Sequence, residues 1–321
     1  MKFVVFGPEA RLGLVADHRI LDLAQAAAAS NANARGHEHI FASLLALIES
    51  GDRGLDLARQ LAEGLSGSDQ ASLYVELATV QLHAPFPGQR LAMAGSNFAA
   101  HVANAYTNFG KPTTAAEVHA KTRLQGKAGG FWAVSRPVGT DADIPVPRSA
   151  QGLFDYEGEI AIVLSKGGKR IAADRWADRI WGTTLLIDWS VRNHSLSNQR
   201  PFYAHKVFDC SKSIGPWIAV DEVDPTCCDV ETRVNGEVRQ RFNTRDMIYS
   251  FGEMLEQIAE DLTLYPGDVL SSGTGAGTAV DQSVPGADGL LPFELFLKAG
   301  DLVEVTSPGF GSLKGRVVAN A

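Results

Sequence analysis

Apolar and polar positions follow two different rhythms along this chain. Residues 2–6 (KFVVF) and the two short runs of LGLVADHRILDLA, on either side of Asp17-His18, have the branched, extended character of strands, and GPEARLG supplies turn residues between them. They predict a small β unit over residues 1–24. From 38 to 65 the spacing changes. Phe41, Leu44, Leu45 and Ile48 recur at three and four, and after a break at Gly51 and Gly54, Leu57, Leu61 and Leu65 recur at four, predicting helices. Two prolines and a glycine interrupt the pattern in VQLHAPFPGQ, residues 80–89. This stretch reads as a linker between a small N-terminal domain, 1–80, and a larger unit, 81–321.

In the larger unit, LAMAG predicts a short buried strand ending in glycine. A helix starting near Ser96, with Ser96 or Asn97 as its N-cap, would set Asn97 and His101 on one face. A lone histidine is more often structural than catalytic, but a strand end leading into a helix is also where active-site groups sit. Residues 106–130 are mostly polar, with scattered Gly and Lys, and predict a mobile excursion or lid. Farther on, IAIVLS and TTLLI read as buried strands, Asn235-Gly236 as a hairpin turn, and 246–264 as a core-facing helix that Pro266-Gly267 turns into VLSSG.

The strand pattern isolates a chemical cluster. Glu157 and Glu159 flank Gly158 just before IAIVLS. In an extended chain, residues two apart project to the same side. Their charges repel, and each raises the other's pKa unless a cation lies between them. Alone, this is an exposed strand edge with solvated glutamates. Asp188 changes that reading: it ends TTLLI, where an aspartate is out of place unless paired or ligated. Three carboxylates without histidine or cysteine alongside suit a hard divalent cation, magnesium, manganese or calcium, better than zinc.

Composition narrows the remaining classes. A chain of 321 residues that is 45% hydrophobic and 21% charged is ordinary for a globular protein with a substantial core. A formal charge of -8, with no basic stripe, argues against a nucleic-acid partner. Cys210, Cys227 and Cys228 cannot form a disulfide framework and read as reduced and packed, in an intracellular, cytoplasmic protein. No stretch is long and apolar enough to span a membrane. SSGTGAGTA, residues 271–279, is glycine-rich but has neither the Lys-Ser/Thr nor the helix of a nucleotide loop. Gly36-His37-Glu38-His39 reads as a polar lead-in to the helix rather than a metal cluster. No Gly-x-Ser-x-Gly elbow is present.

Six segments, in order, resemble the fumarylacetoacetate hydrolase family over residues 81–321: GSNFAAH, FDYEGEIAIVLSK, LIDWSVRN, HKVFDCSKSIGPW, the long run NGEVRQ…SSGTGAG, and FLKAGDLVEVTSPGFGSLKGRV. The resemblance implies a mixed, β-rich α+β fold, a mixed β-sandwich roll, behind a small N-terminal β/α domain. It places Glu157, Glu159 and Asp188 at the metal-binding carboxylates. Lys206 falls at the lysine that contacts substrate or its developing enolate. Thr274, beside Gly273, falls where a substrate carboxylate is held, and Arg192 at an arginine with a packing, dimer or substrate role. His101 matches the histidine that activates water. Members are commonly homodimers.

The resemblance therefore implies metal-dependent hydrolysis of a C–C bond in a β-diketo or 2-keto acid, an acylpyruvate or fumarylacetoacetate-like compound, through a metal-bound enolate. Mg2+ is the first expectation, Mn2+ or Ca2+ the alternatives, and the partner is a small keto acid. A 2-keto acid decarboxylase, a hydratase or dehydratase, or an isomerase of aromatic or sugar catabolism would use the same metal site, and a non-catalytic metabolite-binding member is the alternative outside enzymes. Two departures touch the substrate pocket. Where many small members have a glutamate three residues after the histidine, this chain has Asn104, so a carboxylate from elsewhere must support His101 or the base is weakened. Arg136-Pro137 does not align with the family's lysine-proline pair, so that lysine is not carried over.

Overall fold

A computed structural model describes the chain except for residues 31–35, 66–70, 86–89, 194–202 and 321. The fold is mixed α+β and rich in strands. One large sheet runs from edge to edge through Tyr74–Glu76, Arg19–Asp22, Arg11–Ala16, Lys2–Phe6, Lys212–Ala219, Ile180–Asp188, Gly158–Leu164, Val269–Thr274, Leu91–Gly95 and Gly129–Ala133, with Leu82–His83 also paired to Lys2–Phe6. A second sheet orders Glu237–Asn243, Asp229–Val234, Leu302–Ser307, Gly311–Val318 and Ala142–Pro145.

The central strands are buried on both faces, which is why they read as continuous apolar runs rather than alternating ones. Ile160, Ile162 and Leu164 join Leu185 and Ile187 in a core shared with Val303, Val305 and Leu313 of the second sheet. Ala161, Val163 and Leu186 point the other way, into a core with Leu44, Leu47 and Ile48 of the N-terminal helices. Glu157 and Glu159 share the parity of Ala161 and Val163. Gly158 has the opposite parity and faces the second sheet. A Cβ there would lie 2.3 Å from Thr232 Oγ1 and 3.1 Å from Val305 Cγ2, so the two glutamates can be neighbours on one face only because the residue between them is glycine.

The N-terminal strand Lys2–Phe6 pairs with Lys212–Ala219, so the large sheet crosses the composition break near residue 80 without interruption. The helical stretch of the N-terminal unit resolves into Leu44–Glu49 and Asp52–Leu65, with Gly51 in the left-handed region between them. Gly54 does not break this stretch. It lies inside the second helix, where Ser50 and Leu47 leave no room for a Cβ.

Residues 106–130 are largely helical. The helix Ala99–Asn108 includes the first of them, and a second helix, Ala115–Gln125, starts at a Thr114–Glu117 capping box and ends at Gly126 in the left-handed conformation. Polarity hid this element because only Val118 of the second helix is buried. Its anchors are polar: Arg123 pairs with Glu253, and Tyr249 donates to the Thr122 carbonyl. The helix expected over 246–264 is shorter, Phe251–Ala259, because Ser250 and Glu253 form a capping box that fixes its start. Asn235-Gly236 forms the expected hairpin turn, with both residues at positive φ. The three cysteines are free, but Cys227 is exposed rather than packed.

Gly158→Ala should overpack the contact between the sheets. Urea denaturation of the metal-free protein should show a loss of about 1–3 kcal/mol, the usual cost of forcing a methyl group into a filled core.

Candidate active site

Strand register assembles the three carboxylates. Glu159 lies opposite Leu186 on one side and Thr274 on the other, and Asp188 lies opposite Lys212. The Asp188 N–H donates to the Glu157 carbonyl at 2.9 Å, which ties the ends of the two strands together. One oxygen from each carboxylate falls within 4.8 Å of the others, and all three residues are buried. Both Glu159 oxygens and Asp188 Oδ1 have no hydrogen-bond partner among the described residues. A carboxylate buried without a donor is costly. One oxygen from each of three buried carboxylates, with unpartnered oxygens on two of them and no nitrogen or sulfur ligand in the group, fits a hard divalent cation.

Cations surround this cage. Lys206 Nζ donates to Glu157 Oε2 at 2.5 Å, Asp188 Oδ2 at 2.8 Å and Ser190 Oγ at 2.7 Å. Arg192 bridges Asp155 Oδ2, 2.8 Å from Nε, and Glu157 Oε1, 2.5 Å from Nη2. Lys212, with no exposed surface, brings its Nζ 2.9 Å from Asp188 Oδ1. Burial opposes ionisation of Glu157, but Lys206, Arg192 and His101 outweigh it and hold its carboxyl well below the usual range. Glu159 goes the opposite way. Burial, then Asp188 and Glu157, push its carboxyl well above the usual range, against weaker help from Lys206 and Ser271. Burial lowers Lys206, but Asp188 and Glu157 more than compensate and its ammonium is reinforced. Burial draws Lys212 down, with Asp188 opposing.

His101 is supported by Asp281. Its Nδ1 lies 2.9 Å from both Asp281 oxygens, and its Nε2 lies 3.9 Å from Glu157 Oε1. Burial disfavours the imidazolium, but Asp281 and Glu157 outweigh burial and raise the histidine's pKa. Asn104, at the position of the glutamate in smaller family members, is exposed. The orienting carboxylate comes instead from the turn after the Gly-rich strand. There Asp281 Oδ2 also accepts from the Gly277 and Thr278 N–H groups. Asp155 locks the same turn by accepting from the Ala279 and Val280 N–H groups.

The helix carrying His101 begins at Ala99 and not near Ser96. Phe98 is its N-cap residue and makes no side-chain cap, and Ser96 has positive φ. Asn97 is used elsewhere. Its amide donates to the Tyr249 and Ser272 carbonyls and accepts from the Tyr249 N–H, which ties the helix start to the sheet.

A cavity of about 340 Å³ opens onto this constellation, with His101, Glu157, Arg192, Lys206, Thr274 and Phe131 in its wall. Thr274 is in place, but its hydroxyl is already engaged, donating to the Gly158 carbonyl and accepting from Gln240. Gly273, at positive φ beside Ala94 and Asn97, is not among the residues that line the cavity. Arg136-Pro137 and His83 instead line a separate hollow of about 550 Å³ that has no carboxylate in its wall among the described residues. His194 lies outside the described residues, and His205 is not part of the cavity wall. The GHEH segment forms no metal-ligating group among the described residues. His37 there is paired with Arg53.

The profile described as fumarylacetoacetate (FAA) hydrolase C-terminal matches residues 90–318. The chain belongs to the fumarylacetoacetate hydrolase family. It is 28% identical to the oxaloacetate tautomerase YisK of Bacillus subtilis over 95% of this chain and 94% of that protein. It resembles the crystal structure of 2-hydroxyhepta-2,4-diene-1,7-dioate isomerase from Mycobacterium marinum with a TM-score of 0.59 and 29% identity, covering 77% of this chain and 81% of that one. It shares its fold with maleylpyruvate hydrolase from Sphingobium sp. SYK-6, solved with manganese(II) and pyruvate, with a TM-score of 0.68 and 24% identity over the whole of both chains. The family thus holds hydrolases, isomerases and tautomerases. No helix among the described residues is long and apolar enough to cross a membrane.

Glu159→Gln replaces a buried, unpartnered carboxyl with a neutral group of the same shape. Equilibrium dialysis should show at least a hundredfold loss of Mn2+ affinity. The metal-free variant should also be the more stable protein. A carboxyl raised on folding stabilises below its unfolded pKa and loses that contribution as pH rises toward its folded value. The stability gap between variant and wild type, both without metal, should therefore widen from about pH 4.5 upward in urea titrations.

Proposed function

We propose that the protein is a divalent-cation-dependent enzyme acting on small 2-keto acids, and that its reaction is hydrolysis of the C–C bond between the carbonyls of an acylpyruvate or fumarylacetoacetate-like β-diketo acid. The observation that carries this reading is the His101–Asp281 pair beside the carboxylate cage. Glu157, Glu159 and Asp188 would hold the cation, with Mg2+ or Mn2+ favoured by the oxygen donors. When bound, the cation supplies Lewis acidity to the 2-keto oxygen.

The chain's own groups perform the proton transfers. Asp281 holds Nδ1–H of His101, which leaves Nε2 free as the base on the cavity side. His101 takes a proton from water, and the hydroxide adds to the distal carbonyl carbon. When the C–C bond breaks, its electron pair passes to the pyruvate half as an enolate, which is then protonated at carbon. Lys206 supplies positive charge where the enolate oxygen develops, the point at which fixed charge accelerates a reaction most. Arg192 holds Glu157 in place, because its Nε and Nη2 are committed to Asp155 and Glu157. Thr274 contributes backbone to the substrate's carboxylate end, its hydroxyl being spoken for.

A second reading is keto–enol tautomerisation of a short 2-keto dicarboxylate. Two observations favour it: the relative matched along nearly the whole chain is an oxaloacetate tautomerase, and the cavity is at the small end of the range for ligand sites. The same base would shuttle one proton between carbon and oxygen.

The two readings separate in one assay. Protein stripped with chelator and restored with Mg2+ or Mn2+ should consume the diketo absorbance of an acylpyruvate and release two carboxylic acids. Acceleration of oxaloacetate enol–keto exchange without cleavage would select tautomerisation instead. Activity untouched by chelation would remove the cation from either scheme.

Asp281→Asn should lower kcat by about 10²- to 10⁴-fold, the range for loss of an organised general base. The direction of its pH effect is fixed as well. Asp281 raises the histidine's pKa, so removing its charge should move the acidic limb of the kcat/KM profile to lower pH.

A further inference from the structure

Lys212 is the fully buried lysine of the site, and nothing in the chemistry above uses it. A lysine with no exposed surface is rare and expensive unless its ammonium is satisfied. Here Nζ donates to the Lys206 carbonyl at 2.8 Å, the Ser211 carbonyl at 3.0 Å and Ser211 Oγ at 3.2 Å, and lies 2.9 Å from Asp188 Oδ1. The Phe131 ring, 5.7 Å away, closes the remaining side. Two carbonyls and the Ser211 hydroxyl take its three hydrogen bonds, and the Asp188 carboxylate adds a facing negative charge; an ammonium, with three N–H groups where a neutral amine has two, suits this surrounding.

Asp188 Oδ1 is also one of the three oxygens without a hydrogen-bonded partner, alongside both oxygens of Glu159. Lys212 approaches it as a charge, outside hydrogen-bonding geometry. The other Asp188 oxygen is taken by Lys206. A fixed positive charge therefore stands against the oxygen that Asp188 would offer to a metal ion.

We propose that Lys212 is a positioning residue that sets a positive charge against the metal cage, so that divalent ions bind more weakly and reversibly than three buried carboxylates would otherwise hold them. The proposal rests on the reading of Glu157, Glu159 and Asp188 as metal ligands. Through the Lys206 carbonyl, Lys212 also fixes the end of the short helix Tyr203–Lys206, linking the height of the catalytic-site lysine to the same carboxylate. A bland alternative is that Lys212 only ties down the turn at Lys206–Ser211. The two roles differ in sign. Losing a purely structural tie loosens the cage and weakens metal binding, whereas removing a like charge from beside a dication strengthens it.

The test is titration of stripped, full-length protein with Mn2+ alone, following free Mn2+ by EPR. It compares wild type with Lys212→Met, of similar length and uncharged, and Lys212→Gln, which keeps an N–H donor for the carbonyls. Thermal melts establish that each variant is folded. Both should bind Mn2+ at least about tenfold more tightly than wild type, equivalent to one pK unit of charge interaction. Unchanged or weaker binding by a folded variant overturns the proposal. Glu159→Gln serves as the control for the underlying reading. If wild type and Glu159→Gln bind Mn2+ alike, the cage assignment itself fails, and that result is distinct from a failure of Lys212. Should Lys212→Met not fold, Lys212→Gln alone decides.

Discussion

Burial of like charge at short range is the constraint on which this molecule turns. Two ionised carboxylates within 4.8 Å repel by about 3–4 kcal/mol at an effective dielectric of about 20, more than two pK units. The fold answers differently at each member of the trio. Glu157 is neutralised by Lys206 and Arg192 and stays ionised. Asp188 is gripped by Lys206 and faced by Lys212. Glu159 receives almost nothing and is driven toward its protonated form. That asymmetry leaves one deficit of positive charge, at Glu159. The site is poised to accept a cation, yet is compensated well enough to fold without one.

The same economy organises the base. Asp155 and Asp281 are both buried acceptors, and each satisfies backbone N–H groups of the turn at 277–280. Asp281 spends its remaining capacity on His101, and Asp155 spends its own on Arg192. Arg192 then reaches Glu157. One chain of charge-assisted contacts runs from the histidine proposed as the base to the carboxylates that would hold the metal, coupling the positions of the two parts.

How much of this could be read in the sequence follows from which contacts are local. Glu157 and Glu159 stand out because a strand's period of two places them together, and Asp188 because an acid interrupts an apolar run. His101 could be placed only through the resemblance to the family, since a histidine at a helix start has many uses. Asp281 lies 180 residues from His101, and only its place three residues after Thr278, whose N–H it accepts from at a helix start, marked it locally. Nothing in the sequence joins the two. Lys212 reads as an ordinary charge in CSKSIGPW, and only strand pairing sets it opposite Asp188. The second helix of the 106–130 segment escaped for the opposite reason. Its hydrophobic pattern is absent, and capping and side-chain anchors, rather than a buried face, hold it in place.

Among the described residues, the N-terminal unit contributes no side chain to the cavity wall, but it frames the site. The strand that starts at Lys212 ends at Ala219, and that end is clamped. Lys2 and Phe3 pair with Ala219 and Ile218, the Met1 ammonium donates to the Val220 carbonyl, and Phe3 packs on Trp181 with ring centroids 5.3 Å apart. Without these partners the strand would be a bare sheet edge, and Leu186, Ile214 and Ile218 would lose the N-terminal side chains packed against them. Register errors in a strand move side chains to the opposite face one residue at a time. The pairing with Ile180–Asp188 shifts register between Thr183 and Leu185, and beyond that shift the strand runs on to set Lys212 opposite Asp188. The composition break near residue 80 thus divides two stretches of chain but not two sheets, and the first stretch acts on the chemistry by fixing the register of a strand it does not itself supply.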